Sequence, residues 1–171
     1  LALNSFAKSY IINLACNAAL NKDQIDAVVV NIGGDLVIKG NIIDAVNVTN
    51  PIANADNDEP LAQLKVSNKA IATSGNYRRG HKIGKNWYSH IVDPRTAKPV
   101  EGIISATVIA NNATDAGALA TAFNVLSVKP VPHLPIYCSF LPSYCPSKRA
   151  PKYFLEFLGS VIPIIIASSS F

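Results

Sequence analysis

The chain contains no methionine, one tryptophan and three cysteines, and charged residues fill only 15% of its 171 positions. Cys16, Cys138 and Cys145 are odd in number and form no Cys-x-x-Cys pair, so neither a disulfide framework nor a zinc site is implied. Long apolar runs are missing as well. Val161 to Ala167 falls well short of the ~20 residues that a bilayer-spanning helix requires. Concentrated positive charge is the next absence. The net charge of +4 is spread along the chain and is tight only at Tyr77-Arg78-Arg79 and Ser147-Lys148-Arg149. A nucleic-acid binder gathers its basic residues on one face or helix. No such motif occurs, so no nucleic-acid partner is expected, and a phosphate-bearing small molecule suits the balance better. A chain without methionine is expected to lack its natural N-terminus, so the lack of a signal peptide excludes nothing.

What is present is apolar. Hydrophobic residues make up 49%, which is a globular composition with enough chain for one domain and its core. Leu3, Phe6, Ala7, Tyr10, Ile11, Leu14 and Ala18 recur at helical spacing, which predicts an amphipathic helix capped by Asn4 or Ser5. Asp26 to Asn31 predicts a buried strand and Leu36 to Lys39 its return, joined by Ile32-Gly33-Gly34-Asp35. Further strands are expected at Ala45 to Thr49, Ala70 to Thr73, Trp87 to Val92 and Ser105 to Ala110. Leu61 to Asn68 is ambiguous, Arg78 to Asn86 reads as a hairpin tip, and Ala116 to Leu126 as a helix. Strands paired through turns, with helices at either end, predict an α+β fold over residues 1–129. In residues 130–171 the prolines break every candidate element, which predicts a divergent tail.

Four stretches carry chemistry-bearing residues. Gly33, Gly34 and Asp35 make either a hairpin turn or a cradle whose backbone amides approach a phosphate. Ser74, Gly75 and Tyr77 leave a strand, as an ordinary loop or as a support for a planar ring. His90, Asp93 and Arg95 lie within six residues, ending at Pro94-Arg95-Thr96. Histidine suits a general base and arginine a phosphate clamp, while the plain alternative is a solvated hairpin end with an Asp–Arg pair. Asp115 and Thr121 offer hard oxygen atoms to a metal, or Thr114 or Asp115 simply caps a helix.

Their order is more specific than any one of them. Ala7-Lys8-Ser9-Tyr10, then NIGGD, ATSGNYRR, YSHIVDPRT, SATVIA and TDAGALATAF resemble the FAD:protein FMN transferases, the ApbE flavin transferase family, over about Leu1 to Leu126. The resemblance implies an ApbE-like fold, mostly antiparallel sheet flanked by helices, with its N-terminal part missing. It implies magnesium-dependent transfer of FMN from FAD to a Thr or Ser hydroxyl of an acceptor flavoprotein, releasing AMP. Hydrolysis of FAD to FMN and AMP, or a non-catalytic flavin-binding remnant, are the alternatives. Family position assigns FAD contacts to Lys8, Gly33, Gly34, Asp35, Ser74, Gly75, Tyr77 and His90. Magnesium falls to the Ala7 carbonyl, Asp115 and Thr121. His90 is the implied base, with Asp93 orienting it or contacting flavin and Arg95 adding positive charge. Family members are extracytoplasmic in bacteria, so a periplasmic or lipid-anchored setting is the corresponding expectation.

The chain also departs from the family pattern. Ser9 stands where the family has glycine, Asn13 where it has Asp, and Ala97 where it has glycine after DPRT. In the metal helix the family places Asp four residues before the Thr; here Gly117 occupies that place. Asp115, six residues before Thr121, is expected to supply the carboxylate from a cap position outside the helix.

Overall fold

The computed structural model describes residues 4–51, 58–126, 152–154 and 162–167, the last two segments by backbone alone. The expected boundary near Lys129, Cys138, Cys145 and the Ser147-Lys148-Arg149 cluster lie outside the described residues. The chain divides into two compact units, Leu1–Ala72 with Ile109–Ala118, and Thr73–Val108 with Leu119–Phe171.

The first unit begins with helix α1 (Asn4–Leu20). Strands β1 (Ala27–Ile32) and β2 (Asp35–Gly40) follow as an antiparallel hairpin in which Ile32 pairs with Asp35. The linking turn has Gly33 at φ +58 and Gly34 at φ +88. Positive φ at both central residues is the hairpin turn whose twist matches the strands, and glycine supplies it without a side-chain clash. β3 (Asp44–Val48) and β4 (Ala62–Val66) form a second antiparallel hairpin, so the ambiguous stretch 61–68 resolves as a strand with alternating burial. β5 (Lys69–Gly75) pairs antiparallel with β2, with Leu36 opposite Ile71. Ile38, Val66, Ile71 and Ile109 form the buried cluster, with Leu36, Ile42, Val46 and Leu64 packed against it. Asn68 closes one corner: its side-chain amide accepts from the Gly40 N–H at 2.9 Å and donates to the Gly40 carbonyl at 3.2 Å.

The α1 face differs from expectation. Phe6, Tyr10, Ile11 and Leu14 were expected inside, yet they are roughly half exposed, while Ile12 and Cys16 are fully buried and Ser9 nearly so. The helix is apolar around most of its circumference, so spacing predicts a helix without choosing its inner face. Polar ties to the β1–β2 hairpin make that choice. Lys39 donates to Asn13 at 3.3 Å and to Asn17 at 2.6 Å, and Ser9 and Lys8 both reach Asp35.

In the second unit, β6 (Gly80–Ile83) and β7 (Asn86–Ser89) form a hairpin with Gly84, at φ +62, in its turn. The expected tip at 78–86 is therefore mostly strand, and the strand expected to reach Val92 stops at Ser89. β8 (Val92–Asp93) and β9 (Lys98–Pro99) make a short ladder closed by residues 94–97. β10 (Ile103–Ala110) is buried at every position but Ile104, as a strand covered on both faces must be. Its sheet neighbours are β5 and β12 (Ile162–Ala167), and β12 pairs antiparallel with β11 (Lys152–Phe154). These strands were not expected in the proline-rich tail. The isoleucine run Ile164-Ile165-Ile166 supplies the β-branched residues that suit a strand, and its backbone is paired with Lys152–Phe154.

Helix α2 (Ala113–Val125) starts three residues earlier than expected. Its cap is Asn112, not Thr114 or Asp115. The Asn112 carboxamide oxygen accepts from the Asp115 N–H at 2.9 Å, and its nitrogen donates to the Asp115 carboxylate at 2.7 Å. The first bond satisfies one of the amides that a helix start leaves open, and the second fixes the capping side chain.

Candidate active site

In the first unit, four of the expected ligand-holding residues come together, Lys8, Gly33, Gly34 and Asp35. Asp35 follows the Gly33–Gly34 turn at the start of β2 and is 5% exposed. A buried carboxylate needs partners, and two arrive from consecutive residues of α1. Lys8 Nζ lies 2.9 Å from Asp35 Oδ2, and the Ser9 hydroxyl donates to the same oxygen at 3.2 Å. A Cβ built on Gly33 would lie 3.9 Å from Lys8 Nζ, whereas one on Gly34 meets nothing within 4 Å. The result is a lysine ammonium beside a turn with an open backbone, anchored through a buried acid. Ser9 stands where the family has glycine, so a backbone angle that serine resists would shift the geometry here. It sits inside α1 with ordinary helical geometry, and its hydroxyl joins the Asp35 group instead.

In the second unit, Ser74, Gly75 and Tyr77 form one turn at the end of β5. The Tyr77 ring folds back over Gly75 so closely that a Cβ there would meet ring carbons at 2.7 and 2.9 Å, and the Ile104 carbonyl at 3.0 Å. Only glycine permits this approach. Asn76 is held at both its backbone atoms: its N–H donates to the Ile104 carbonyl at 3.0 Å, and its carbonyl accepts from Trp87 Nε1 at 2.7 Å. Trp87 lies in turn against Gly80, where a Cβ would be 2.8 Å from the indole. The Arg78 guanidinium stands over the Tyr77 ring, 5.7 Å from its centre, a cation–π contact that puts positive charge on this aromatic group.

His90 is exposed just past β7. Its Nδ1 lies 2.9 Å from the Arg79 carbonyl oxygen. A carbonyl can only accept, so Nδ1 carries a proton, and in the neutral imidazole the lone pair is on Nε2. Asp93 does not orient this ring through the bonds it makes, because its carboxylate is taken by Arg95. Arg95 Nε is 2.9 Å from Oδ1 and Nη2 is 2.8 Å from Oδ2, and Nη2 also reaches the Val125 carbonyl at 3.2 Å. The side-chain bond from Arg95, its backbone bond and its charge hold the Asp93 carboxyl below its ordinary range, and the same pairing raises Arg95.

The expected metal donors are all oxygens: the Ala7 carbonyl in α1, Asp115 and Thr121 in α2. In kind they suit magnesium. In spacing, Asp115 and Thr121 do not suit one ion. Asp115 was expected outside the helix, but α2 runs unbroken through both positions, with Asp115 in its first turn. Six helical residues separate side chains by ~120° and ~9 Å along the axis. Asp115 is also bonded to Asn112. Among the described residues no group of three or more His, Cys, Asp or Glu side chains stands ready to hold a metal.

Sequence reading missed Ser9 as a partner of Asp35, Trp87 as a clamp on Asn76, and Asn124. The Asn124 carboxamide donates to the Ser74 carbonyl at 3.0 Å and to the Ala120 carbonyl at 2.9 Å. A polar residue amid the apolar stretch Ala122 to Leu126 was the available signal, and it carries weight only once the position proves buried.

Comparison with known proteins adds to this geometry. The ApbE family matches residues 1–134. The FAD:protein FMN transferase of Rhodobacter capsulatus is 34% identical over 137 residues, 78% of this chain and 25% of that protein. The protein of the same name from Vibrio cholerae is 32% identical over 127 residues, 72% of this chain and 38% of its own length. The crystal structure of the Thermotoga maritima ApbE protein superimposes with a TM-score of 0.66 at 34% identity, covering 73% of this chain and 40% of that one. The structure of the Vibrio cholerae flavin transferase ApbE has a similar fold, at 22% identity and a TM-score of 0.57, in an alignment that covers 100% of this chain and 51% of that one. The chain thus spans between a quarter and two fifths of the curated relatives first matched.

Proposed function

This chain belongs to the ApbE family, and on that premise we propose that it transfers the FMN part of FAD to a Thr or Ser hydroxyl of an acceptor flavoprotein. The observation that carries the proposal is the family match over residues 1–134, which takes in every chemistry-bearing block in order. The two named relatives are FAD:protein FMN transferases, which fits the same activity.

In the proposed reaction the acceptor oxygen bonds to the FMN-side phosphorus, and the bond from that phosphorus to the AMP oxygen breaks. Such phosphoryl chemistry depends on positioning and charge neutralisation. His90 takes the hydroxyl proton on Nε2, its Nδ1–H held by the Arg79 carbonyl. Lys8, tied down by Asp35, offers positive charge beside the open Gly33–Gly34 turn. Tyr77 supplies an aromatic surface for the flavin, with the Arg78 guanidinium over the ring. Arg95 contributes through the turn it locks with Asp93 more than through a free guanidinium. Magnesium dependence is part of the proposal: a bound divalent ion would neutralise pyrophosphate charge. An extracytoplasmic setting belongs to the same reading.

Incubation of the protein with FAD, magnesium and an acceptor protein bearing the target hydroxyl, followed by mass spectrometry, tests it. An acceptor heavier by FMN, with AMP released, is the expected result. Free FMN with AMP and an unmodified acceptor would make the chain a hydrolase, and intact FAD would overturn catalysis altogether. His90→Ala is expected to lower the transfer rate by about 100-fold or more, the usual range for a lost general base.

A further inference from the structure

Asn124 occupies a place where an apolar side chain would cost less. It lies in the last turn of α2, 2% exposed, next to buried Phe123. Both contacts of its carboxamide nitrogen are carbonyl oxygens, Ser74 at 3.0 Å and Ala120 at 2.9 Å. Carbonyls only accept, so the amide orientation is determined, and the nitrogen must face them. Oδ1 is then left buried without a hydrogen-bond donor among the described residues. A buried acceptor without a partner costs free energy, and such local costs tend to sit where function requires them.

The bond to Ser74 is what this arrangement gains. Three hydrogen bonds pin the turn after β5: Asn124 to the Ser74 carbonyl, the Asn76 N–H to the Ile104 carbonyl, and Trp87 Nε1 to the Asn76 carbonyl. The Tyr77 ring packs on the segment between these points, at Gly75. We infer that Asn124 is a positioning residue that holds the Ser74–Tyr77 turn in its flavin-receiving conformation. The inference rests on the proposed flavin reading of this turn, and goes beyond it by assigning a residue that touches neither flavin nor phosphate.

Trp87 is the sole tryptophan, so its indole N–H gives one identifiable proton resonance that reports directly on the turn. In Asn124→Leu and in the near-isosteric Asn124→Asp, that resonance is expected to shift and its exchange with water to quicken about fivefold or more. The KM for FAD is expected to rise about tenfold, the loss of one buried hydrogen bond, with kcat at saturating FAD changed less than about threefold. In the wild type the Asn124 side-chain amide protons are expected to exchange slowly, a measurement that holds even if neither variant folds.

An unmoved indole resonance, or fast exchange of the wild-type Asn124 amide, overturns the positioning role whatever FAD does. A shifted resonance with unchanged KM overturns the link to flavin. Wild-type protein that does not bind FAD overturns the proposed function, while the indole resonance still decides whether Asn124 holds the turn.

Discussion

Ala97 holds a left-handed backbone, φ +55, at the end of the loop that closes β8 and β9. An alanine Cβ in that conformation costs about 1–2 kcal/mol, and glycine avoids it. Here the Ala97 N–H donates to the Asp93 carbonyl at 2.8 Å, so the loop geometry depends on this residue staying left-handed. Ala97→Gly is therefore expected to stabilise the protein by about 0.5–1 kcal/mol, part of the gain being offset by the freer unfolded chain. Urea denaturation of the two proteins measures it. Asp93, in the same loop, titrates below its ordinary range because Arg95 bonds and neutralises it. A depressed folded pKa means that its contribution is complete above the usual carboxylate value of about 3.9 and is lost as pH falls through the lower folded value. The stability difference between wild type and Asp93→Asn is expected to be constant near neutral pH and to shrink below about pH 4. A gap that widened with acid would contradict the pairing.

At the scale of elements, α1 and α2 show how a correct helix can carry an unexpected face or start. Ile12 is fully buried and Phe6 is 53% exposed, although both belong to the same apolar helix. Ile12→Ala is expected to cost about 2–5 kcal/mol and Phe6→Ala less than about 1 kcal/mol, measured by chemical denaturation. A larger cost for Phe6→Ala than for Ile12→Ala would mean that the periodic reading had the inner face right. In α2, Gly117 stands four residues before Thr121, the spacing that puts two side chains on one helical face. Gly117→Asp is expected to lower the magnesium concentration needed for half-maximal transfer about tenfold or more, whereas Asp115→Ala changes it little. A titration of activity against magnesium separates these outcomes. The hairpins were more legible than the helix faces. Gly33-Gly34 between apolar runs admits one kind of turn, and β4 does alternate, Ala62-Gln63-Leu64-Lys65-Val66, over only five residues, while β6 stayed hidden because a short, mostly exposed strand carries little apolar periodicity.

For the molecule as a whole, the order of its blocks along the chain sufficed to indicate the ApbE family, because motif residues keep their sequence whether or not their partners are known. Both helices and the strands β1, β2, β3, β5, β7 and β10 followed too, since propensity, glycine turns and proline stops are local properties of the chain. Partnership was not local. Asp35 is joined to Lys8 and Ser9 across 26 or more residues, and Asn124 to Ser74 across 50. Which side of α1 is buried, which nitrogen of His90 keeps its proton, and that Asp93 belongs to Arg95 all depend on groups that only folding brings within 3 Å or so of one another. Hydrogen bonds and burial act over those short distances in space, and one-dimensional spacing does not encode them.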